Sequence, residues 1–149
     1  MTTNALFDEF QTLCRTIYGE RLVSLAVYGS TGRGTARPDS DVDILLIVEG
    51  LSHWRMERVE EFKPIESALG GVLLSPVLKT PGEIANGSPL LLDMVEDAVI
   101  LYDRENFLEN TFEKLRANLQ RLGAKRIWRG DNWFWDLKPD YQTGEVFEV

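Results

Sequence analysis

Four residues set the chemistry of this chain: Gly29-Ser30, then ten residues, then Asp41-Val42-Asp43. An apolar run, Leu22 to Tyr28, feeds the small-residue turn, and a second, Ile44 to Val48, follows the acids. Neighbouring strand residues point to opposite faces, so Asp41 and Asp43 are expected on one face, roughly 6–7 Å apart. Paired carboxylates there can hold one or two hard cations through oxygen. The turn offers free backbone N–H groups, the Ser30 hydroxyl and glycines that admit close approach, which together suit a phosphate. Nothing basic in the second strand pairs the acids, and like charges on a buried sheet face repel unless a cation compensates them. A phosphate cradle beside metal-binding carboxylates is equipment for phosphoryl or nucleotidyl transfer. Arg33 and Arg37, in the connecting loop, are candidates to neutralise a triphosphate, and their alternative is a solvated loop charge.

This segment resembles the DNA polymerase beta-like nucleotidyltransferase superfamily, most closely its minimal nucleotidyltransferases, whose signature is Gly-Ser, ten residues, Asp-x-Asp. Some of those proteins are antitoxins that pair with a small helical toxin and transfer AMP onto it. The motif covers Gly29 to Asp43, and a looser likeness in element order runs from about Asn4 to Tyr102. The resemblance implies that Asp41 and Asp43 bind Mg²⁺ (or Mn²⁺) and are catalytic. It implies that Gly29 and Ser30 meet the nucleotide and that the substrate is an NTP, with ATP a family inference. Active members usually carry a third carboxylate on the next strand. Here that strand, Gly71 to Leu78, offers only Ser75, a poor replacement in charge and basicity. Glu66, Glu83 and Asp93 lie nearby in sequence, and spacing selects none of them.

The elements that must position this site are an α+β (α/β) set: a small mixed sheet flanked by helices, on the polymerase beta-like plan. Leu6, Phe10, Leu13 and Ile17 recur on one side of a helix from about Ala5 to Tyr18, with Asn4 as its N-cap. Strands are expected at Leu22–Tyr28, Asp41–Val48, Val72–Leu78 and Ala98–Tyr102. Pro76 favours an edge position or a bulge for the third. Ser52 reads as the N-cap of a helix to about Leu69, with a kink or break at Pro64. Thr80 to Gly87 reads as loop, and Ser88-Pro89 as the start of a helix to about Glu96. Asp103 should cap the longest helix, Arg104 to Leu122. Its stripe of Leu108, Phe112, Leu115, Leu119 and Leu122 suits packing on the domain or a helix–helix seam with a partner.

The expected organisation is a nucleotidyltransferase domain over 1–103 and, over 104–149, a C-terminal helix and aromatic tail packed on the same domain. Three tryptophans (Trp128, Trp133, Trp135) stand beside Lys125, Arg126 and Arg129. Such a group either seals a core or stacks on a base or sugar while its cations meet phosphate.

Composition narrows the function classes. At 149 residues the chain can bury a real core, and its 44% apolar and 27% charged content is ordinary for a globular protein. A net charge of −8 argues against broad nucleic-acid binding, though not against a local basic groove. One cysteine, Cys14, excludes an internal disulfide framework and a Cys-based zinc cluster, and one histidine, His53, makes a His-dependent triad implausible. The N-terminus lacks the basic start and apolar run of a signal peptide, so a cytoplasmic location is expected.

Three functions fit these residues. One is transfer of a nucleoside monophosphate to a partner protein's hydroxyl. Another is an antitoxin-like interaction protein that binds nucleotide without turnover. The third is transfer to a small molecule.

Overall fold

The computed structural model describes residues 3–149. They divide into two compact units, one ending at Leu108 and the other spanning Glu109–Val149.

In the first unit, helix α1 (Thr3–Tyr18) is followed by one 3-10 turn, Gly19–Arg21. Asn4 lies inside α1, so it does not cap it. Strand β1 (Leu22–Tyr28), the short helix α2 (Gly29–Arg33) and strand β2 (Val42–Val48) come next. Helix α3 (Arg55–Ala68) starts three residues after Ser52. Trp54 holds the N-cap position, and the Ser52 hydroxyl accepts from the Trp54 N–H at 3.1 Å instead. The helix is not broken at Pro64. Strand β3 (Leu74–Lys79) leads to α4 (Pro81–Ala85), α5 (Leu91–Met94) and strand β4 (Val99–Asp103).

The stretch expected as loop after residue 79 contains α4, whose start is a full capping box. The Glu83 N–H donates to Thr80 Oγ1 at 3.2 Å, and the Thr80 N–H donates to Glu83 Oε1 at 2.9 Å. Arg58 Nη1 adds a 2.8 Å ion pair to the same carboxylate. Burial alone would raise the Glu83 pKa, but the Thr80 N–H and the Arg58 guanidinium outweigh it and hold the carboxyl below its usual range.

The four strands form one mixed sheet in the order β3-β2-β1-β4, with β1 antiparallel to β2 and β4 and β2 parallel to β3. Pro76 lies on β3, an edge strand, where a missing N–H costs least. Ile44, Leu46 and Val48 join one core cluster with Phe10 and Cys14 of α1 and Phe62 and Ile65 of α3. Strand alternation therefore places Asp43, Leu45 and Ile47 on the opposite face.

The long C-terminal helix begins later than Arg104. Residues Arg104–Asn106 form a 3-10 turn with Glu105 and Asn106 at φ of 55° and 58°, and α6 runs Phe107–Leu122. Asp103 still caps it: its Oδ1 accepts from the Leu108 N–H at 2.9 Å and from the buried Ser24 hydroxyl at 2.7 Å.

The second unit holds most of α6 and a hairpin, β5 (Lys125–Arg129) and β6 (Asn132–Asp136). Arg129 pairs with Asn132, leaving a two-residue loop opened by Gly130 at φ 65°. Lys138 Nζ then lies 2.8 Å from Glu145 and 3.4 Å from Asp140, and Tyr141 meets Phe147 edge to face.

Candidate active site

Strand β1 ends at Tyr28, and the backbone turns sharply at Gly29, whose φ of 63° would strain any side-chain-bearing residue. A second constraint is steric. A Cβ on Gly29 would lie 2.3 Å from Asp43 Oδ2, so the carboxylate occupies the space that glycine leaves. Ser30 and Thr31 follow in the first turn of α2, where backbone N–H groups have no partner within the helix. Gly34, at φ 77°, closes α2, and the Thr35 N–H returns to the Ser30 carbonyl at 2.9 Å. The turn is also held from behind. A Cβ on Gly32 would lie 2.2 Å from the Asp97 carbonyl oxygen, and Arg33 Nη1 is 2.9 Å from Asp97 Oδ2.

Asp43 sits near the start of β2, directly opposite Tyr28 of β1 and in register with Ser75 of β3. Asp41 lies just before the strand and is exposed. Burial raises the Asp43 carboxyl above its usual range, the Asp41 charge raises it further, and Arg33 partly offsets both. The two acids therefore sit close enough to repel, and they are hard oxygen donors beside a turn that Gly29 leaves open. That donor set fits a divalent cation with oxygen preference. No group of three or more His, Cys, Asp or Glu suited to a metal occurs among the described residues. Arg33, on α2, is engaged with Asp97, and its charge still reaches Asp43; Arg37 is on the exposed loop between α2 and β2, where its backbone N–H donates to Ser40 Oγ at 3.0 Å.

The sequence pattern of the nucleotidyltransferase domain matches residues 8–102. The chain belongs to that family. A protein of Methanocaldococcus jannaschii, named a putative protein adenylyltransferase, is 33% identical over 135 residues, covering 87% of this chain and 92% of that one. Among solved structures, one similar chain comes from the complex of a tri-AMPylated HEPN toxin with an MNT antitoxin from Shewanella oneidensis. It has a TM-score of 0.56 at 18% identity and covers 81% of this chain and 89% of that chain. Another comes from a toxin–antitoxin complex with AMP-PNP, at TM-score 0.52 and 22% identity over 77% of this chain and 93% of that chain. At those identities the structural likeness shows the fold.

In this nucleotidyltransferase, the strand beside β2 presents Ser75 at the position level with Asp43. The three carboxylates near in sequence separate clearly. Glu83 is committed to its capping box and to Arg58. Glu66 is carried by α3, whose buried residues pack on the face away from Asp43. Asp93, on α5, is close enough to Tyr28 that, after burial and Asp43, its charge helps push the phenol up to about 12. Burial also raises the Asp93 carboxyl above its usual range. His53 is exposed. The spacing of motifs gave no sign of the Gly32–Asp97 contact or of the Arg33–Asp97 pair, because both depend on where the turn after α5 arrives.

Proposed function

We propose that this nucleotidyltransferase moves AMP from ATP to a hydroxyl group of a partner protein, with Mg²⁺ held by Asp41 and Asp43. The observation that carries this reading is the seating of the Asp43 carboxylate directly against Gly29 of the turn. The protein acceptor is suggested by the M. jannaschii relative's description and by the AMPylated toxin in a similar complex.

In the proposed reaction, Gly29, Ser30 and the first N–H groups of α2 bind the β- and γ-phosphates. The Arg33 and Arg37 side chains add positive charge. The acceptor oxygen forms a bond to the α-phosphorus while the bond to the bridging oxygen breaks, releasing pyrophosphate. The acceptor proton passes to a base, for which Asp93 is the candidate: its charge acts on Tyr28, the residue opposite Asp43, and burial raises its carboxyl above the usual range. A bound divalent cation would supply charge neutralisation of the triphosphate. The chain's own contribution is orientation and electrostatics, without a covalent enzyme intermediate.

Replacing Asp41 and Asp43 together by Asn should abolish Mg²⁺-dependent binding of AMP-PNP in calorimetry. Unchanged affinity would end the proposal.

A second reading, binding of nucleotide and partner without turnover, is favoured by Ser75 standing where a third carboxylate would be. Ser75→Asp is expected to raise pyrophosphate release at least several-fold, and Asp93→Asn to lower it. Should release be absent in the wild type and in Ser75→Asp alike, while nucleotide binds, the non-catalytic reading holds.

A further inference from the structure

The hairpin of the second unit has two chemically different faces. Directly opposed residues of an antiparallel pair share a face. One face carries a stack of its own, in which Trp128 is 47% exposed: the Arg126 guanidinium lies 4.6 Å from the Trp128 ring and 4.2 Å from the Trp133 ring, and Trp133 meets Trp135 edge to face. The other face carries Ile127 opposite Phe134, with Lys125 and Arg129 on either side along β5. Phe134 is 44% exposed, and Lys125 and Arg129 are exposed. Arg129 lies 5.7 Å from the Phe134 ring and faces the uncharged Asn132 across the strands. At the other end Lys125 opposes Asp136, which lines an open cavity of about 520 Å³ shared with Tyr141 and Phe147. No acidic residue interrupts the chain between Glu113 and Asp131, a stretch with six basic ones.

We propose that this face docks a polypeptide segment of a partner protein, one that carries an aromatic or aliphatic side chain flanked by acidic residues. The apolar centre of Ile127 and Phe134 suits the side chain, and Lys125 and Arg129 suit the flanking acids. Exposed Phe and Arg side by side are the composition of a protein-interface anchor. A nucleic acid strand fits less well. The face sets two cations, Lys125 and Arg129, about a single exposed ring, Phe134, rather than the track of successive rings that a nucleic acid strand would stack on. The docking stands whether or not nucleotide is transferred.

The test is fluorescence anisotropy on the full chain with a labelled random copolymer of glutamate and tyrosine. Wild-type chain should bind it at least tenfold more tightly than labelled polyglutamate. Lys125→Glu with Arg129→Glu, and separately Phe134→Ala, should each weaken binding at least tenfold. AMP-PNP affinity should not change in these variants, which separates this site from the nucleotide site. The charge reversals are at exposed positions, and unchanged tryptophan emission checks that the hairpin is intact. The proposal is overturned if the wild-type chain does not bind the copolymer, if either variant binds it like wild type, if polyglutamate binds as well as the copolymer, or if a labelled 20-nucleotide oligothymidylate binds more tightly than either.

Discussion

Asp43 is the residue where folding and the proposed function pull in opposite directions. It ionises inside a partly buried site beside Asp41, so its folded-state pKa is raised by burial first and by the Asp41 charge second. A raised carboxyl contributes stability fully below its unfolded value, about pH 4, and loses that contribution as the pH rises through its folded value. At neutral pH the ionised group therefore costs stability. In EDTA, Asp43→Asn should melt about 1–4 °C higher than wild type at pH 7. The gap should close as the pH falls toward 4. A lower melting temperature at pH 7, or a gap independent of pH, would mean that the carboxylate is not strained.

The residue scale also shows what sequence could reveal. The pairing of Gly29 with Asp43 was legible as spacing, because an apolar strand, a glycine turn and a strand starting with acids leave few other arrangements. Ser75 could be named as the polar residue of the third strand, and the register places it level with Asp43. Asp93 could not be selected, since its approach to Tyr28 depends on the path of α5 rather than on any local pattern.

Among the elements, α4 makes the clearest case for a local signal. Its five residues are too few to be stable by propensity, so the capping box at Thr80 and Glu83 and the Arg58 pair hold it. Thr80→Ala should lower the unfolding free energy by about 1 kcal/mol in urea titrations, and Thr80→Ser should recover most of it. No loss on Thr80→Ala would show that Arg58 alone holds the turn. The pattern Thr80-Pro81-Gly82-Glu83 was readable as a helix start, and Pro and Gly together masked it as loop.

The hairpin was hidden differently. Lys125 to Asp136 alternates in face, with Gly130-Asp131 between the runs, but clustered tryptophans suggested a sealing tail. Local alternation and a two-residue turn make the stretch a hairpin. The start of α6 shifted because Asp103 reaches past a 3-10 turn to cap Leu108, a longer reach than a standard N-cap.

At the scale of the molecule, charge and core are unevenly distributed. Residues up to Leu108 carry nine basic and seventeen acidic side chains, so the first unit holds the whole net charge of −8. No helix among the described residues is long and apolar enough to cross a membrane. Within the first unit the core centres on α1, α3 and one sheet face, and Cys14 sits inside it at 0% exposure, its thiol pushed up to about 12 by burial. Iodoacetamide at pH 8 should therefore leave the native chain unmodified, with alkylation rising only through the cooperative unfolding transition. Rapid labelling of the native chain would show that α1 opens independently of the sheet.

The contact behind α2 carries one more implication. With the Asp97 carbonyl pressed against Gly32 and Arg33 tied to the same residue, the glycine turn has no room to recoil and little freedom to surrender. On the proposed function, a triphosphate arriving at this turn would leave the ordering cost with the guest rather than the host.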